Sequence, residues 1–319
     1  MLLVLLLVVT SEAGSRCGRE AWELLPHGAP VPTRVWSSKS WLQDNYTSGP
    51  AALPQAWDWR AVNGTGFTTR VGYQLLPSAC GSCWAFAAAG ALSDRVKIAT
   101  SGRIPEFNLA PQGLLDCGLE AGSCNGGNPT LAYEFIANTG LTDETCMPYR
   151  GVDVANWGES DCADRMCRRC DRFGTCKFLP RNETTRVFVE EHGVLKGVDA
   201  MQAEIAARGP IACLMYAHAS AFENYVGGII IDATRYPGTT HVVVVTGWGV
   251  DKDGVKHWIV RNSFGTEWGE LGYYRQEMGK DIYNMESSSC SWATPNANSV
   301  QKLLARSGMS LERTNIMLV

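Results

Sequence analysis

No stretch of this chain is apolar for long enough to cross a bilayer. Its longest run, LLVLLLVV at residues 2–9, falls far short of the roughly 20 residues a spanning helix needs. Charge is also sparse: charged residues make up 19% of the sequence and the formal net charge is −4. No basic block is large enough to hold a phosphate backbone, which excludes nucleic acid as an expected partner. No internal repeat is evident. Histidine is scarce too, so any chemistry that needs an imidazole must come from His27, His192, His218, His241 or His257.

What the chain has in excess is cysteine. Twelve of them in 319 residues point to disulfides and an oxidising compartment, while 45% apolar residues suffice for one large domain or two lobes. Residues 2–9, followed by the small residues Ser11 and Ala13, read as a secretory signal over 1–13, although a basic flank is missing. The sequons at Asn45, Asn63 and Asn182 agree with that route. Residues 14–52 are rich in Pro, Ser and Gly, carry a lone Cys17 and show no helical period, as a short pro-segment or linker would. Composition shifts at LPQAWDWR, residues 53–60, the expected start of the folded unit.

Ser82 is a suitable N-cap for a helix running to about Thr100, and Cys83 opens it. A short helix is expected over 112–116 and another over 201–207. Strands are expected over 211–215, 241–250, 256–262 and 272–276, rich in Val, Ile, Tyr and Trp. A mostly helical first half and a mostly β second half imply an α+β chain of two lobes with a cleft between them. Between the halves, Cys146, Cys162, Cys167, Cys170 and Cys176 sit among polar residues, as in a disulfide-stapled surface excursion. Cys167 and Cys170 have CxxC spacing, but without a matching second pair zinc is not the expected use.

A thiol in the first turn of a helix feels the positive end of the helix dipole, which favours thiolate and makes Cys83 the candidate nucleophile. It needs a base. A turn over residues 251–254 returns the strand that starts at His241, and a hairpin centred there sets His241 opposite Phe264 and within two residues of Asn262. Asn262 can then fix the imidazole tautomer and leave the other ring nitrogen for Cys83.

Taken together, Cys80-Gly81-Ser82-Cys83-Trp84, Cys124-Asn125-Gly126-Gly127, His241 before Gly247-Trp248-Gly249, and Asn262-Ser263-Phe264-Gly265 with Trp268-Gly269 resemble the signature set of the papain-like cysteine proteases. The match spans about residues 53–295 and leaves 296–319 as a C-terminal tail. The resemblance implies a papain-like two-lobe α+β fold with a helical left lobe, a β-barrel-like right lobe and the active-site cleft between them. It also implies peptide or protein substrates, no cofactor, no metal, no stable membrane insertion, cystatin-like inhibitors, and a lysosomal or extracellular location. By the same likeness Gln74 and the Cys83 N–H form the oxyanion hole, and Gly126 and Gly127 pair with substrate backbone. Pro129 and Val242 line the pocket for the residue before the scissile one, and Trp268 shields the bond from His241 to Asn262. The short pro-segment with Cys17, the opening at residues 53–60, and three extra residues between Gln74 and Cys80 most resemble a carboxypeptidase branch of the family. There Cys17 bonds Cys83 as a reversible lock. The family pattern implies bridges Cys80–Cys124, Cys117–Cys146 and Cys213–Cys290, with Cys162, Cys167, Cys170 and Cys176 forming two more in one of three ways.

Two departures bear on specificity. In that branch a histidine after the glutamine holds the substrate carboxylate, and here Leu75 takes its place. Phe264 replaces a tryptophan but keeps an aromatic shield. Endopeptidase or relaxed exopeptidase action is therefore the alternative to carboxypeptidase action, and a weakly active homologue that binds peptides or surface proteins is the alternative from another class. The tail over 296–319 is expected to be frayed, with a short amphipathic helix as the other option.

Overall fold

The structure, a computed structural model, describes residues 53–153 and 162–308. The expected signal segment, pro-segment, Cys17, Asn45 and residues 309–319 lie outside the described residues.

The helical lobe is built on α1 (Cys83–Ala99). Its alanine-rich sequence loses little side-chain entropy on helix formation, and nearly all of its first twelve side chains are buried, as a central helix requires. Against it lie α2 (Pro111–Cys117) and α3 (Pro129–Thr139). Asn128 caps α3 by accepting from the Thr130 N–H at 2.8 Å, and Pro129 takes the first helical position, where its missing N–H costs nothing. Trp84, Leu92, Leu114, Leu115, Tyr133 and Ile136 form the core of this lobe.

The second lobe is a sheet with eight strands among the described residues: β1 (Trp57–Asp58), β2 (Val189–Leu195), β3 (Ile211–Met215), β4 (Ile229–Ile230), β5 (His241–Val250), β6 (Lys256–Arg261), β7 (Tyr273–Glu277) and β8 (Cys290–Pro295). Their order is β4-β7-β6-β5-β3-β8-β2, with β1 also on β5. All pairs are antiparallel except β4 with β7. α4 (Val198–Arg208) and the one-turn α5 (Ser220–Glu223) pack on this lobe.

The run HVVVV of β5 is apolar throughout because it is the seam between the lobes. Val242 and Val244 belong to the helical core, whereas Val243 and Val245 belong to the β core with Trp248, Trp258 and Phe222. The expected hairpin register holds near the site, with Val244 opposite Arg261 and Val245 opposite Val260. A bulge at Thr246 then shifts it by one, so that Gly247 faces Ile259. Gly247 is needed there: a Cβ would lie 2.1 Å from the Trp57 carbonyl oxygen of β1.

Three expectations need correction. The segment after Pro295 is not frayed over its first part: α6 (Ala297–Arg306) buries Val300, Leu303 and Leu304, and Asn296 caps it by accepting from the Ser299 N–H. The helical spacing of those three residues is the physical reason. The bridge Cys117–Cys146 does not form. Cys117 pairs with Cys162 and Cys146 with Cys167, because the excursion folds back to set Arg168 N–H on the Cys146 carbonyl and Thr142 Oγ on the Met166 carbonyl. Only Cys170–Cys176 therefore forms within the set of four, and both members of the CxxC are consumed in bridges. Cys80–Cys124 and Cys213–Cys290 pair as expected.

Two adjacent charged residues of α1 clamp the lobes together. The Arg261 guanidinium of β6 binds Asp94 through contacts of 2.8 and 3.1 Å, while Arg95 reaches Glu204 of α4 at 2.9 Å and the carbonyls of Gly209, Pro210 and Ala293. Both pairs are buried.

Candidate active site

Cys83 is fully buried at the first position of α1. Ser82 occupies the N-cap position but does not cap the helix, contrary to expectation. Its Oγ instead lies 2.6 Å from the Tyr149 hydroxyl. The first-turn N–H groups therefore keep their positive potential, the field that favours a thiolate. In this structure the Cys83 sulfur is held in a disulfide and is not a free thiol.

His241 opens β5 and is fully buried, and its Nε2 lies 2.8 Å from Asn262 Oδ1 at the end of β6. The same Oδ1 accepts the Ser263 N–H at 2.8 Å, which fixes it as the oxygen of the amide. Nε2 must therefore carry the proton, and the lone pair sits on Nδ1. That Nδ1 is buried and makes no hydrogen bond among the described residues. Burial, opposed by the Asn262 bond, lowers the His241 pKa to about 4 and keeps the ring neutral while no thiolate stands beside it. The ring is flanked by Phe264, with centroids 5.1 Å apart, and by Phe222 at 6.1 Å. Trp268 packs against both phenylalanines, at 5.8 and 5.1 Å. Phe264 is thus an aromatic cover lying directly against the imidazole, and Trp268 backs it.

Gln74 is fully buried, and three of its hydrogen bonds tie it to Ser263 and Cys80. Ser263 Oγ donates to its Oε1 at 2.7 Å, its Nε2 donates to the Cys80 carbonyl at 3.1 Å, and its N–H donates to the Ser263 carbonyl at 2.9 Å. The bond to Cys80 uses one hydrogen of Nε2 and leaves a second for an incoming oxygen. Gln74, Ser263, Asn262 and His241 therefore form one connected constellation across both lobes.

Gly126 and Gly127 are buried in a two-stranded ribbon with Gly122 and Ser123. Each has a packing or conformational reason to be glycine: Gly126 has φ of 125°, and a Cβ on Gly127 would lie 2.4 Å from the Trp84 ring. Pro129, at the start of α3, and Val242, on the seam strand β5, are buried, whereas Leu75 is half-buried beside the exposed Leu76. Asn63 and Asn182 are exposed. Ser263 as the anchor of Gln74, Phe222 and Tyr149 carry no local signal in the sequence. Ser263 and Tyr149 are placed by hydrogen bonds spanning 189 and 75 residues, and no local pattern signals such contacts.

The description of the papain family of cysteine proteases matches residues 53–294. Cathepsin Z of Onchocerca volvulus is 38% identical over 254 residues, covering 76% of this chain and 78% of that protein. Cysteine proteinase 2 of Zea mays is 33% identical over 239 residues, covering 72% of this chain and 57% of that protein. A digestive procathepsin L2 proteinase from Tenebrio molitor larval midgut superposes with a TM-score of 0.67 at 24% identity, covering 90% of this chain and 81% of that one, which is a likeness of fold.

Proposed function

The chain belongs to the papain family of cysteine proteases, and on that premise we propose that it is a cathepsin Z-like carboxypeptidase made as a disulfide-locked precursor. The observation that carries the chemistry is the buried Nδ1, without a hydrogen-bond partner among the described residues, of an imidazole whose Nε2 proton is committed to Asn262. Once free, Cys83 gives its thiol proton to that Nδ1, and the thiolate attacks the scissile carbonyl carbon. The carbonyl oxygen becomes an oxyanion between Gln74 Nε2 and the Cys83 N–H. Collapse breaks the C–N bond while His241 returns the proton to the leaving amine. Water, deprotonated by His241, then cleaves the thioester and restores the thiol.

The lock we infer is a bond between Cys83 and Cys17. That pairing is what the likeness to the carboxypeptidase branch implies; among the described residues, five bridges hold ten cysteines and Cys83 is not a free thiol. A small thiol releases Cys83 by two successive exchanges and is itself oxidised to its disulfide. Removal of the pro-segment, 14–52, would complete activation of a unit that starts at residue 53. The signal at 1–13 and glycans at Asn45, Asn63 and Asn182 fit a lysosomal or secreted precursor, and no helix among the described residues is long and apolar enough to cross a membrane.

Carboxypeptidase action rests on the likeness to cathepsin Z and on the length of the loop between Gln74 and Cys80. Leu75 offers no donor for a carboxylate, which favours relaxed specificity as the second reading. Release of C-terminal residues from a peptide acid, compared with its C-terminal amide, decides between them. Preference for the acid is expected, and equal rates would refute a carboxylate anchor.

A further inference from the structure

The loop that carries Gln74 is braced from outside the constellation by the segment Tyr149–Gly151. The Tyr149 hydroxyl donates to the Gln74 carbonyl at 2.7 Å. A phenol has one proton, so in the 2.6 Å contact with Ser82 the serine is the donor. The relay therefore runs from Ser82 Oγ to Tyr149 to the Gln74 carbonyl. It joins the residue before Cys83 to the residue whose side chain supplies the second oxyanion donor. Two residues on, a Cβ at Gly151 would lie 2.3 Å from the Ser78 carbonyl oxygen, so the same segment also presses on the far end of the loop. The phenol ring is itself fixed. Phe86 of α1 meets it edge-on, with centroids 4.7 Å apart, and Arg150 beside it donates its N–H to Gln112 Oε1 and pairs with Asp116. Partial burial raises the phenol pKa to about 12, so it remains a donor throughout the range in which a peptidase works. The relay also accounts for the uncapped helix: the Ser82 hydroxyl is turned toward Tyr149 rather than toward the first-turn N–H groups.

We propose that Tyr149 is a positioning residue of the oxyanion site, its hydroxyl setting the Gln74 carboxamide relative to the Cys83 N–H by tying the Gln74 carbonyl to Ser82. The inference rests on the reading of Gln74 as an oxyanion donor. Tyr149 touches no reacting atom. Its loss should therefore weaken interactions made in the tetrahedral state and leave ground-state binding and thiolate reactivity alone.

The test uses the full chain activated with a small thiol. Tyr149→Phe is expected to lower kcat about tenfold, short of the roughly 100- to 1,000-fold loss from removing an oxyanion donor outright. KM should stay within about twofold, affinity for a peptide aldehyde that forms a tetrahedral adduct should fall in parallel with kcat, and the rate of Cys83 alkylation by an epoxide should not change. A purely structural role would not separate the aldehyde from the epoxide. In a Gln74→Ala background, Tyr149→Phe should be nearly silent. An unchanged kcat in Tyr149→Phe, or an equal loss in both backgrounds, overturns the proposal while leaving the role of Gln74 intact. If Gln74→Ala alone leaves kcat unchanged, the oxyanion reading itself has failed. Should Tyr149→Phe not fold, Ser82→Ala carries the same test: kcat and aldehyde affinity are expected to fall together by about threefold, and unchanged values overturn the proposal.

Discussion

Replacing Arg261 by methionine should destabilise the protein far more than replacing an exposed arginine. The Arg261 guanidinium is 4% exposed and Asp94 is 0% exposed. The guanidinium makes contacts of 2.8 and 3.1 Å to the carboxylate and one of 2.9 Å to the Thr69 carbonyl. Methionine approximates the aliphatic stem but leaves Asp94 compensated, among the described residues, only by the Thr69 N–H and hydroxyl, at 2.6 and 2.7 Å, and leaves the Thr69 carbonyl without that donor. Removing one partner of a buried ion pair costs about 3–5 kcal/mol. For a unit of this size that corresponds to a fall in Tm of roughly 6–20 °C. The pair Arg275–Glu270 is 30% and 28% exposed, so Arg275→Met should cost under about 1 kcal/mol. The double change Arg261→Met with Asp94→Leu should recover most of the loss, since no unpaired charge remains. Thermal unfolding of the locked precursor at neutral pH measures all three. An Arg261→Met shift below about 2 °C, or a double variant as unstable as the single one, would show that the buried pair does not carry this stability. Because Arg261 immediately precedes Asn262, the same clamp holds the β-lobe half of the site against the helix that carries Cys83.

In the activated enzyme, His241→Ala should lower kcat by about 100- to 10,000-fold, and Asn262→Ala by less, because the imidazole survives but loses its fixed tautomer; steady-state kinetics on one peptide compares them, and a silent Asn262→Ala would contradict the tautomer argument. The His241 pKa in the locked form is lowered, by burial first, from 6.5 to about 4, so the unfolded chain takes up the proton at higher pH than the folded one. The stability tied to this group is therefore complete above about pH 6.5 and is lost as pH falls through 4, by up to about 3 kcal/mol. Denaturant midpoints of wild type and His241→Asn across that window should diverge accordingly, and parallel curves would refute the assignment. Leu75→His should raise the preference for a peptide acid over its amide by about tenfold or more, the worth of one hydrogen bond to a charged group. Unchanged selectivity in kcat/KM would show that this loop does not face the substrate C-terminus.

How much of this was legible in the sequence depended on the range of the contact. The strands at 211–215 and 241–250 and the helix at Cys83 could be read because their apolar patterns are strong and bounded by glycine, proline or serine. The hairpin register could be read as far as Val245, but the bulge at Thr246 could not, because it answers to β1 packing on Gly247 from almost 190 residues away. α3 was missed although Asn128-Pro129 is a start signal, and β2 and β8 were missed because each is only partly apolar. Nothing local marks the clamp residues Asp94 and Arg95, whose burial depends on partners at 261 and 204. The bridge from Cys117 went to Cys162 rather than Cys146 for a similar reason. The fold of the excursion sets which sulfurs meet, and cysteine spacing alone leaves several connectivities open.

The proposed roles of Cys83, as nucleophile and as the masked residue of the precursor, can be checked chemically. Mass spectrometry of the protein treated with a thiol-alkylating epoxide, before and after mild reduction, reads both roles. No incorporation is expected before reduction. Afterwards one equivalent should map to Cys83, with peptidase activity lost in proportion. Alkylation of the untreated precursor at Cys83, or activity that survives full modification of Cys83, would contradict them.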